Sequence, residues 1–290
     1  MQINGVIGKL IAGFYYVYDH DGNVYECRAR GVFRKDDIVP LVGDNVVIIE
    51  KSKGAYVIDK ILPRKNQLVR PPIANVDIAI VVVASVSPEV SLIALDKLLV
   101  NVLKEKVKPV ICVNKIDLDD GKTFEMIKQQ YSVFDVIGVS AKTGEGIDKL
   151  KEYIQGRISV FAGQSGVGKS SILNCLIPGA NLKVGEISKK IERGRHTTRV
   201  VELLRAGEDT YIADTPGFSS IEIIGLLRHE LKYYYPEFYD FEGCKFPGCN
   251  HIFEPECLVK AAVTEKKINF ERYERYKQIF MQLPAQKEYD

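Results

Sequence analysis

Gly163-Gln164-Ser165-Gly166-Val167-Gly168-Lys169-Ser170 decides the fold, because this stretch matches the pattern Gly-x-x-x-x-Gly-Lys-Ser in full. It follows an apolar run of strand length, Ile158 to Ala162, and a helical pattern begins near Lys169. In this context the glycines turn backbone N–H groups toward a phosphate, and the helix N-terminus adds partial positive charge. The alternative, a chance glycine-rich turn, lacks such flanking elements. We therefore predict a phosphate-binding loop made of these eight residues and Ser171.

Two further motifs predict that the nucleotide base is guanine. Asn114-Lys115-Ile116-Asp117 follows the apolar strand Val110 to Val113, and Ser140-Ala141-Lys142 follows the strand pattern Val133 to Val139. The Asp117 carboxylate can accept two hydrogen bonds from guanine N1 and N2, a donor pair that adenine lacks. An Asn-Lys turn alone is a weak signal, but the two motifs together favour GTP over ATP. The predicted guanine-binding residues are Asn114, Lys115, Asp117, Ser140, Ala141 and Lys142.

The order of these motifs along the chain is unusual. In an ordinary small GTPase the phosphate loop comes first and the base-reading motifs come last, whereas here both base-reading motifs precede the loop. Thr197-Thr198 and Asp214-Thr215-Pro216-Gly217 then follow the loop. All the parts of a GTPase are therefore present in a circularly permuted order.

The permuted motifs also predict the magnesium ligands. The Ser170 hydroxyl, Asp214 at the end of the strand Tyr211 to Ala213, and either Thr197 or Thr198 are expected to hold Mg²⁺ with GTP, while Lys169 reaches the β- and γ-phosphates. Each threonine could alternatively be an ordinary turn residue. Gly217 would offer its backbone N–H to the γ-phosphate, and this segment is expected to move when that phosphate leaves.

The catalytic group is less obvious from the sequence. Ras-like GTPases orient the attacking water with a Gln at the position that Phe218 occupies here, and a phenyl ring cannot polarise water. The candidate within the chain is His196, whose neutral imidazole could orient water or accept a proton. The alternative is that His196 only packs or contacts phosphate. Slow intrinsic hydrolysis is expected in either case.

A second cluster of residues predicts a metal site. Cys244, Cys249, His251 and Cys257 form the pattern Cys-x4-Cys-x-His-x5-Cys, and three thiolates with one imidazole complete a tetrahedral zinc shell. Because no position stays open, one structural zinc ion per chain is expected. Buried free thiols or a redox pair are the alternatives.

The strand and helix patterns divide the chain into three predicted domains. Residues 1–66 contain about five short strands separated by turns and favour an OB-type β-barrel, with an SH3-like or other small barrel as the alternative. Residues 67–223 alternate strands and helices, as in a doubly wound α/β P-loop GTPase domain. Residues 224–290 are predicted to form a mostly helical zinc domain. The proline-containing stretch from Leu62 to Pro72 resembles a linker.

Composition narrows the class of protein further. The 290 residues are 46% hydrophobic with a net charge of +2, so composition alone does not indicate a nucleic-acid binder. No apolar run reaches membrane-spanning length, and the N-terminus lacks a secretory signal pattern. A cytoplasmic location without membrane contact is therefore expected, and a monomer is the simplest assumption. Six cysteines in such a compartment do not predict a disulfide framework.

Across nearly its full length the chain resembles the bacterial family of circularly permuted GTPases called RsgA, YjeQ or YloQ. The resemblance rests on the motif order, the phosphate loop, the Cys/His cluster, Gly194-Arg195-His196-Thr197-Thr198 and Asp214-Thr215-Pro216-Gly217-Phe218. The family switch often ends in a third Thr where Arg199 stands here, which removes one candidate Mg²⁺ ligand. The resemblance implies an OB-fold, a GTPase domain and a zinc domain. It also strengthens the assignment of His196.

The resemblance further implies binding to the small (30S) ribosomal subunit and its rRNA late in maturation, with GTP hydrolysis faster on the subunit and release of GDP-bound protein afterwards. Two other functions stay open: a GTP-dependent switch that recruits a protein or another RNA with incidental hydrolysis, and a tRNA-directed or stress-signalling GTPase. Because the segment after Asp214 leads almost directly into the zinc domain, we also hypothesise that γ-phosphate loss reorients that domain through Ile221 to Gly225.

Overall fold

A computed structural model describes residues 2–31, 33, 38–68, 72–177, 179, 201–214 and 222–285. The N-terminal strands are β1 (Gln2–Ile11), β2 (Phe14–Tyr18), β3 (Val24–Ala29), β4 (Asn45–Ser52) and β5 (Ala55–Ile61). They pair in the order β1-β2-β3-β5-β4, and β4 returns to β1 to close the barrel. Only β3 and β5 run parallel among these pairs. The predicted five-stranded OB-type barrel is therefore confirmed.

Alternation of side chains along the strands builds the interior of this barrel. Ile7, Val17, Val46, Ile48 and Ile58 are fully buried, and their neighbours along the strands are more exposed except beside Ile7, where Val6 and Gly8 are buried as well. The period of two places one set of side chains inside and the other set in solvent. Burial of branched aliphatic side chains contributes about 1.5–3 kcal/mol each.

The stretch expected to be a linker contains ordered structure. Two short strands, β6 (Gln67–Leu68) and β7 (Ile73–Ala74), pair as an antiparallel hairpin. The Asn75 side chain donates to the Gly43 carbonyl at 2.9 Å and accepts from the Lys65 N–H at 2.9 Å. Asparagine amides thus satisfy backbone groups that a flexible linker would leave to water. The connection after the barrel is held in place by these bonds.

The GTPase domain is a mostly parallel sheet with helices on both faces. Its strands are β8 (Ile78–Ala84), β9 (Lys108–Asn114), β10 (Asp135–Val139), β11 (Ile158–Ala162), β12 (Glu202–Gly207) and β13 (Thr210–Asp214). They lie in the order β10-β9-β8-β11-β13-β12, and only β12 is antiparallel to its neighbour. Every residue of β8 and of β11 is buried, as expected for strands covered on both faces.

The helices of this domain are α1 (Leu92–Lys104), α2 (Lys122–Gln130), α3 (Ile147–Ile154) and α4 (Lys169–Leu176), with the short 3₁₀ helix η1 (Ile116–Leu118). Ser91 caps the N-terminus of α1, because its hydroxyl accepts from the Ala94 N–H at 3.4 Å. The circular permutation changes the order of the strands along the chain but leaves the strand order of a GTPase sheet intact. β11, which carries the phosphate loop, lies between β8 and β13. The predicted fold class is confirmed.

The C-terminal region is mostly helical, as predicted. It contains the 3₁₀ helices η2 (Arg228–Tyr234) and η3 (Pro236–Phe241) and the helices α5 (Leu258–Thr264) and α6 (Phe270–Gln282). Tyr235, Phe238, Tyr276 and Phe280 form an aromatic core, and Val100 of α1 belongs to the same buried cluster. The C-terminal region and α1 therefore share one hydrophobic core.

Buried ion pairs join the C-terminal region to the GTPase domain. Asp96 on α1 accepts from Arg272 Nη1 at 2.5 Å and from Arg275 Nε at 2.6 Å, and both arginines lie on α6. Arg272 also pairs with Glu237 and lies 4.6 Å from the centroid of the Tyr131 ring. The Asp96 side chain is fully buried, and that of Arg272 is 3% exposed. The network satisfies each charge that the interface removes from water.

Among the described residues, no helix is both long and apolar enough to span a bilayer.

Candidate nucleotide and metal sites

The carboxyl ends of the parallel strands place the predicted nucleotide motifs at one edge of the sheet. Asn114 is the last residue of β9, Ser140 follows β10, Gly163 follows β11, and Asp214 is the last residue of β13. Ligands bind at this edge in open α/β sheets. Motifs separated by up to 100 residues of sequence are therefore neighbours in space because their strands are neighbours in the sheet.

Glycine is required at two positions of the phosphate loop. Gly163 has φ +136°, and a Cβ there would lie 2.3 Å from the Val82 carbonyl oxygen. Gly168 has φ +96°, and a Cβ there would lie 2.2 Å from Asn114 Nδ2. Between them Val167 is buried and anchors the loop, while Ser165 and Gly166 are exposed. The backbone can therefore approach both a neighbouring strand and a phosphate more closely than any other residue type allows.

Lys169 lies at the start of α4 and reaches back over the loop. Its ammonium group donates to the carbonyl oxygens of Gly163 at 2.7 Å and Gln164 at 2.8 Å. Burial lowers the pKa of Lys169 from its usual value. A phosphate in the loop would stabilise the charged form. The Ser170 hydroxyl lies next in the first turn and Ser170 is almost fully buried, while Ser171 is half-buried.

Asn114 connects three loops of the site. Its amide Nδ2 donates to the Val167 carbonyl of the phosphate loop at 2.8 Å. Its Oδ1 accepts from the Ala141 N–H at 3.1 Å, in the loop after β10. Asn114 is 2% exposed, so these bonds form away from solvent, where a missing partner costs most. The two base-reading loops and the phosphate loop are thereby fixed relative to one another.

Lys115 and Asp117 differ in their surroundings. The Lys115 ammonium donates to the carbonyls of Ser87 and Gly166, the latter at 3.0 Å, so its stem crosses from the base loop to the phosphate loop. Asp117 lies in η1 and is exposed, and within the described part of the chain no residue is hydrogen bonded to its carboxylate. Its acceptor oxygens are therefore available to a base.

The loop after β10 is closed by its own hydrogen bonds. The buried Ser140 accepts from the Thr143 N–H through its hydroxyl at 3.1 Å and from the Gly144 N–H through its carbonyl at 2.8 Å. Ala141 is half-buried beneath the loop, and Lys142 is exposed at its tip. Ser85 supports the base loop although no sequence motif includes it, because its hydroxyl donates to the Lys115 carbonyl at 2.6 Å. A lone Ser after a strand gives no sequence signal for that role.

Several predicted residues lie outside the described part of the structure. His196, Thr197, Thr198 and Gly217 belong to this group, and the side chain of Asp214 does too, although its backbone ends β13. Their roles in binding magnesium, contacting phosphate and catalysis stay predictions.

The four predicted metal ligands converge on one point. The ligand atoms of Cys244, Cys249, His251 and Cys257 all lie within 4.8 Å of one another. Cys244 Sγ is 4.0 Å from Cys257 Sγ, and His251 Nδ1 is 3.7 Å and 3.3 Å from those two sulfurs. Zinc bonds of about 2.3 Å to sulfur and about 2.0–2.1 Å to nitrogen give tetrahedral edges of roughly 3.5–3.8 Å. This arrangement therefore fits a tetrahedral metal ion such as zinc.

Surrounding hydrogen bonds hold the metal-binding turns. Glu254 accepts from the N–H groups of Asn250 at 2.9 Å and Ile252 at 3.1 Å. Its burial opposes ionisation, but these backbone donors prevail and lower the pKa of Glu254 to about 2. The hydroxyls of Tyr273 and Tyr276 on α6 donate to the carbonyls of His251 and Asn250, each at 2.7 Å. The terminal helix thereby supports the turns that present the ligands.

Two thiols of the cluster, those of Cys249 and Cys257, are protonated unless a cation displaces the proton. Burial raises the pKa of Cys249 to about 12, and burial also raises the pKa of Cys257. Burial lowers the pKa of His251, which keeps its imidazole neutral. Metal binding at this site therefore releases protons and becomes weaker as pH falls.

Comparison with known proteins covers the whole chain. A family model described as RsgA GTPase matches residues 61–224, and a second described as RsgA N-terminal domain matches residues 4–58. The Small ribosomal subunit biogenesis GTPase RsgA of Caldanaerobacter subterraneus subsp. tengcongensis is 48% identical over 280 residues, covering 95% of this chain and 94% of that protein.

Two solved structures are also similar throughout. The crystal structure of YjeQ from Thermotoga maritima superposes with a TM-score of 0.88 at 39% identity, covering 99% of this chain and 100% of that one. The structure of YloQ, described as a circularly permuted GTPase, gives a TM-score of 0.82 at 36% identity and covers 100% of this chain and 98% of that one.

Proposed function

The chain belongs to the RsgA GTPase family, and from that premise we propose that it hydrolyses GTP during late maturation of the small ribosomal subunit. It binds the subunit and its rRNA in the GTP state, hydrolyses GTP faster there, and leaves as the GDP form. Action on that subunit implies a cytoplasmic protein, and we expect a monomer. The observation that best supports GTP binding is the junction of three loops at Asn114, which holds the base-reading loops against the phosphate loop.

Recognition of the nucleotide follows from the residues at that junction. The exposed Asp117 carboxylate accepts from guanine N1 and N2, and Lys115 braces the phosphate loop from the base side. Residues Gly163 to Ser170 surround the phosphates with backbone N–H groups, and Lys169 exchanges its carbonyl partners for phosphate oxygens. Ser170, Asp214 and one of Thr197 and Thr198 hold Mg²⁺, which neutralises charge on the phosphates.

Hydrolysis requires a group that orients water against the γ-phosphate. Phe218 cannot do this, so we assign the task to His196, with Gly217 donating its N–H to the γ-phosphate. The Cys₃His cluster holds one structural zinc ion, because a closed set of four ligands offers no position for substrate. A GTP-dependent recruiting switch with incidental hydrolysis is the second candidate. The relatives are named as biogenesis GTPases of the small ribosomal subunit, and this favours the first candidate.

GTP hydrolysis measured with and without purified small ribosomal subunits tests this proposal. We expect wild-type protein to be stimulated, Lys169→Ala to lose activity in both conditions, and His196→Ala to lose the stimulated rate while retaining GDP affinity. Lys151→Ala is the matched control, because Lys151 is an exposed lysine on α3 paired only with Asp148 among the described residues. Absence of stimulation in the wild type would reject the ribosomal assignment and favour the recruiting switch.

The zinc assignment has an independent test. Purified protein should contain one zinc ion per chain, and Cys257→Ser should release it and unfold the C-terminal region, since structural zinc contributes about 10–16 kcal/mol of apparent binding free energy at pH 7. Cys27→Ser, at a buried barrel thiol remote from the cluster, should retain the metal. Metal content that is equal in both variants would contradict the assignment.

A further inference from the structure

One contact between the barrel and the GTPase domain is made through a hairpin, formed by β12 and β13. β12 is the outer strand of the GTPase sheet, and β1 of the barrel pairs with it in antiparallel fashion at Lys9 and Glu202. This pairing merges the barrel and the parallel sheet into one 11-stranded sheet. β12 would otherwise present unpaired backbone groups, so the barrel covers the exposed edge of the sheet.

The paired residues also form a salt bridge. Lys9 Nζ lies 3.0 Å from Glu202 Oε1, and the two side chains are 28% and 35% exposed. Each charge thus retains contact with water, while the pair is shielded enough to have a defined geometry. The bridge joins residues separated by 193 positions in the sequence.

A ring contact lies next to the bridge. Tyr18 of β2 and Tyr211 of β13 stack with their ring centroids 6.2 Å apart. Gly8, at an irregularity of β1, makes room for this arrangement, because a Cβ there would lie 2.0 Å from the Tyr18 ring. The barrel therefore contacts both strands of the hairpin.

The tip of the hairpin is held by the loop between β2 and β3. His20 Nδ1 lies 2.8 Å from Asp209 Oδ2, and His20 Nε2 lies 3.2 Å from Glu208 Oε1. Arg205 donates to the His20 carbonyl at 3.3 Å. The contact therefore runs along the hairpin from its base at Glu202 to its tip at Asp209.

Both ends of this hairpin continue into predicted switch residues. Thr198 precedes Glu202 by four positions, and Asp214 is the last residue of β13. A displacement of the hairpin relative to the rest of the sheet is therefore transmitted through the backbone to residues assigned to magnesium and γ-phosphate. Among the described residues that link the barrel to the hairpin, Lys9 is the one nearest to these ends.

We propose that Lys9 and Glu202 are positioning residues for GTP hydrolysis, through which the barrel, when it binds its partner, sets the placement of the switch residues. This inference rests on the proposed function and adds the route by which the partner stimulates hydrolysis. Because coupling between two sites is reciprocal, GTP binding also changes the affinity of the barrel for its partner. Neither residue belongs to the predicted nucleotide site, so the pair should alter the stimulated kcat and leave the KM for GTP unchanged.

A charge-swap cycle tests the pair. Lys9→Glu, Glu202→Lys and the double variant are compared with wild type by GTP hydrolysis with saturating small ribosomal subunits and without them. We expect each single swap to reduce the stimulated kcat roughly five- to tenfold, in line with ordinary coupling energies. The double swap should restore most of that rate, and all three should retain wild-type KM and GDP affinity.

The Lys108–Asp135 pair is the matched control, because it is a cross-strand pair 2.7 Å apart at the opposite edge of the same sheet. Lys108→Glu should be stimulated like the wild type. Stimulation of Lys9→Glu equal to the wild type would overturn the inference while the ribosomal function stands. Loss in both single variants without restoration in the double variant would also overturn it, because the effect would then not depend on the pair. A wild type that is not stimulated would reject the proposed function itself.

Discussion

Two interfaces join the GTPase domain to its neighbours, and they differ in burial. At the C-terminal interface Asp96, Arg272 and Arg275 have side chains that are 0%, 3% and 10% exposed. At the barrel interface His20 and Asp209 have side chains that are 67% and 53% exposed. Breaking a buried pair leaves a charge without water or partner, whereas exposed pairs are replaced by solvent at little cost. With respect to their ion pairs, we therefore call the C-terminal interface firm and the barrel interface loose, although buried apolar side chains also join the barrel core to the GTPase sheet.

This difference concerns which neighbouring domain moves when the γ-phosphate is lost. The hypothesis from sequence was that γ-phosphate loss reorients the zinc domain through the connection from Ile221 to Gly225. In the structure the described part of that connection, residues 222–225, is held on α1, because Asn101 donates to the Glu222 carbonyl at 3.1 Å and Lys104 to the Ile224 carbonyl at 2.5 Å. Together with the Asp96 network, these bonds oppose a rotation at this point. The ion pairs of the barrel contact are the more readily broken of the two sets.

The largest expected effect comes from breaking the firm interface. Asp96→Ala leaves Arg275 buried without its carboxylate and removes one of the two acidic partners of Arg272. We expect a loss of about 3–5 kcal/mol in the free energy of unfolding, measured by urea denaturation. Asp148→Ala is the control, since Asp148 forms an exposed pair with Lys151 and should cost about 0–1 kcal/mol. Equal losses in the two variants would contradict the claim that this interface is firm.

A medium effect is expected from crowding the loose interface. Gly8→Val places a side chain where the Tyr18 ring lies, which displaces the ring from Tyr211. Overpacking of this kind costs about 1–3 kcal/mol, and we expect it to reduce stimulation by the subunit as well. Gly31→Ala is the control, because a Cβ there meets no atom of the described residues within 4 Å. Stimulation that survives in Gly8→Val would show that the ring contact does not contribute to coupling.

The smallest expected effect is a pH dependence of the barrel contact. The hydrogen bond with Asp209, reinforced by the charges of Asp209, Glu208 and Asp21, raises the pKa of His20 above 6.5. Arg205 lies on the same hairpin and contacts the His20 carbonyl. A raised pKa means that the contact is complete below about pH 6.5 and weakens as pH rises through the higher value in the folded protein.

Stimulation by the subunit, followed between pH 6 and pH 9, measures this effect against His20→Gln. We expect a small decline with pH in the wild type that is absent from the variant. A decline of the same size in both would assign it to other groups.

Local patterns in the sequence were sufficient to predict the fold class and to place the nucleotide motifs at one edge of the sheet. The strand before each motif fixes where Asn114, Ser140 and Gly163 lie, and the short spacing of Cys244 to Cys257 fixes the metal ligands. Such patterns depend on neighbours in the chain, so periodicity and turn residues reveal them.

The contacts between domains could not be predicted in the same way. Asp96 and Arg272 are 176 positions apart, and Lys9 and Glu202 are 193 apart, so each looks like an ordinary charged residue of a surface. The stretch from Leu62 to Pro72 was predicted to be a linker because its prolines break regular structure. It contains ordered structure because Asn75 accepts from the Lys65 N–H and the Asn66 side chain bonds both backbone groups of Val76. The domain limits at 66 and 223 stay predictions.

The most direct test of the central claim is a pair of distance measurements in solution. Spectroscopic labels at the exposed positions Lys53 and Lys149 measure the distance between the barrel and the GTPase domain. Labels at Lys149 and the exposed Lys267 measure the distance between the GTPase domain and the C-terminal region. With GDP and then with a non-hydrolysable GTP analogue on the small subunit, we predict that the first distance distribution changes and the second does not. A change confined to the second distance would contradict the account and restore the zinc domain as the moving part.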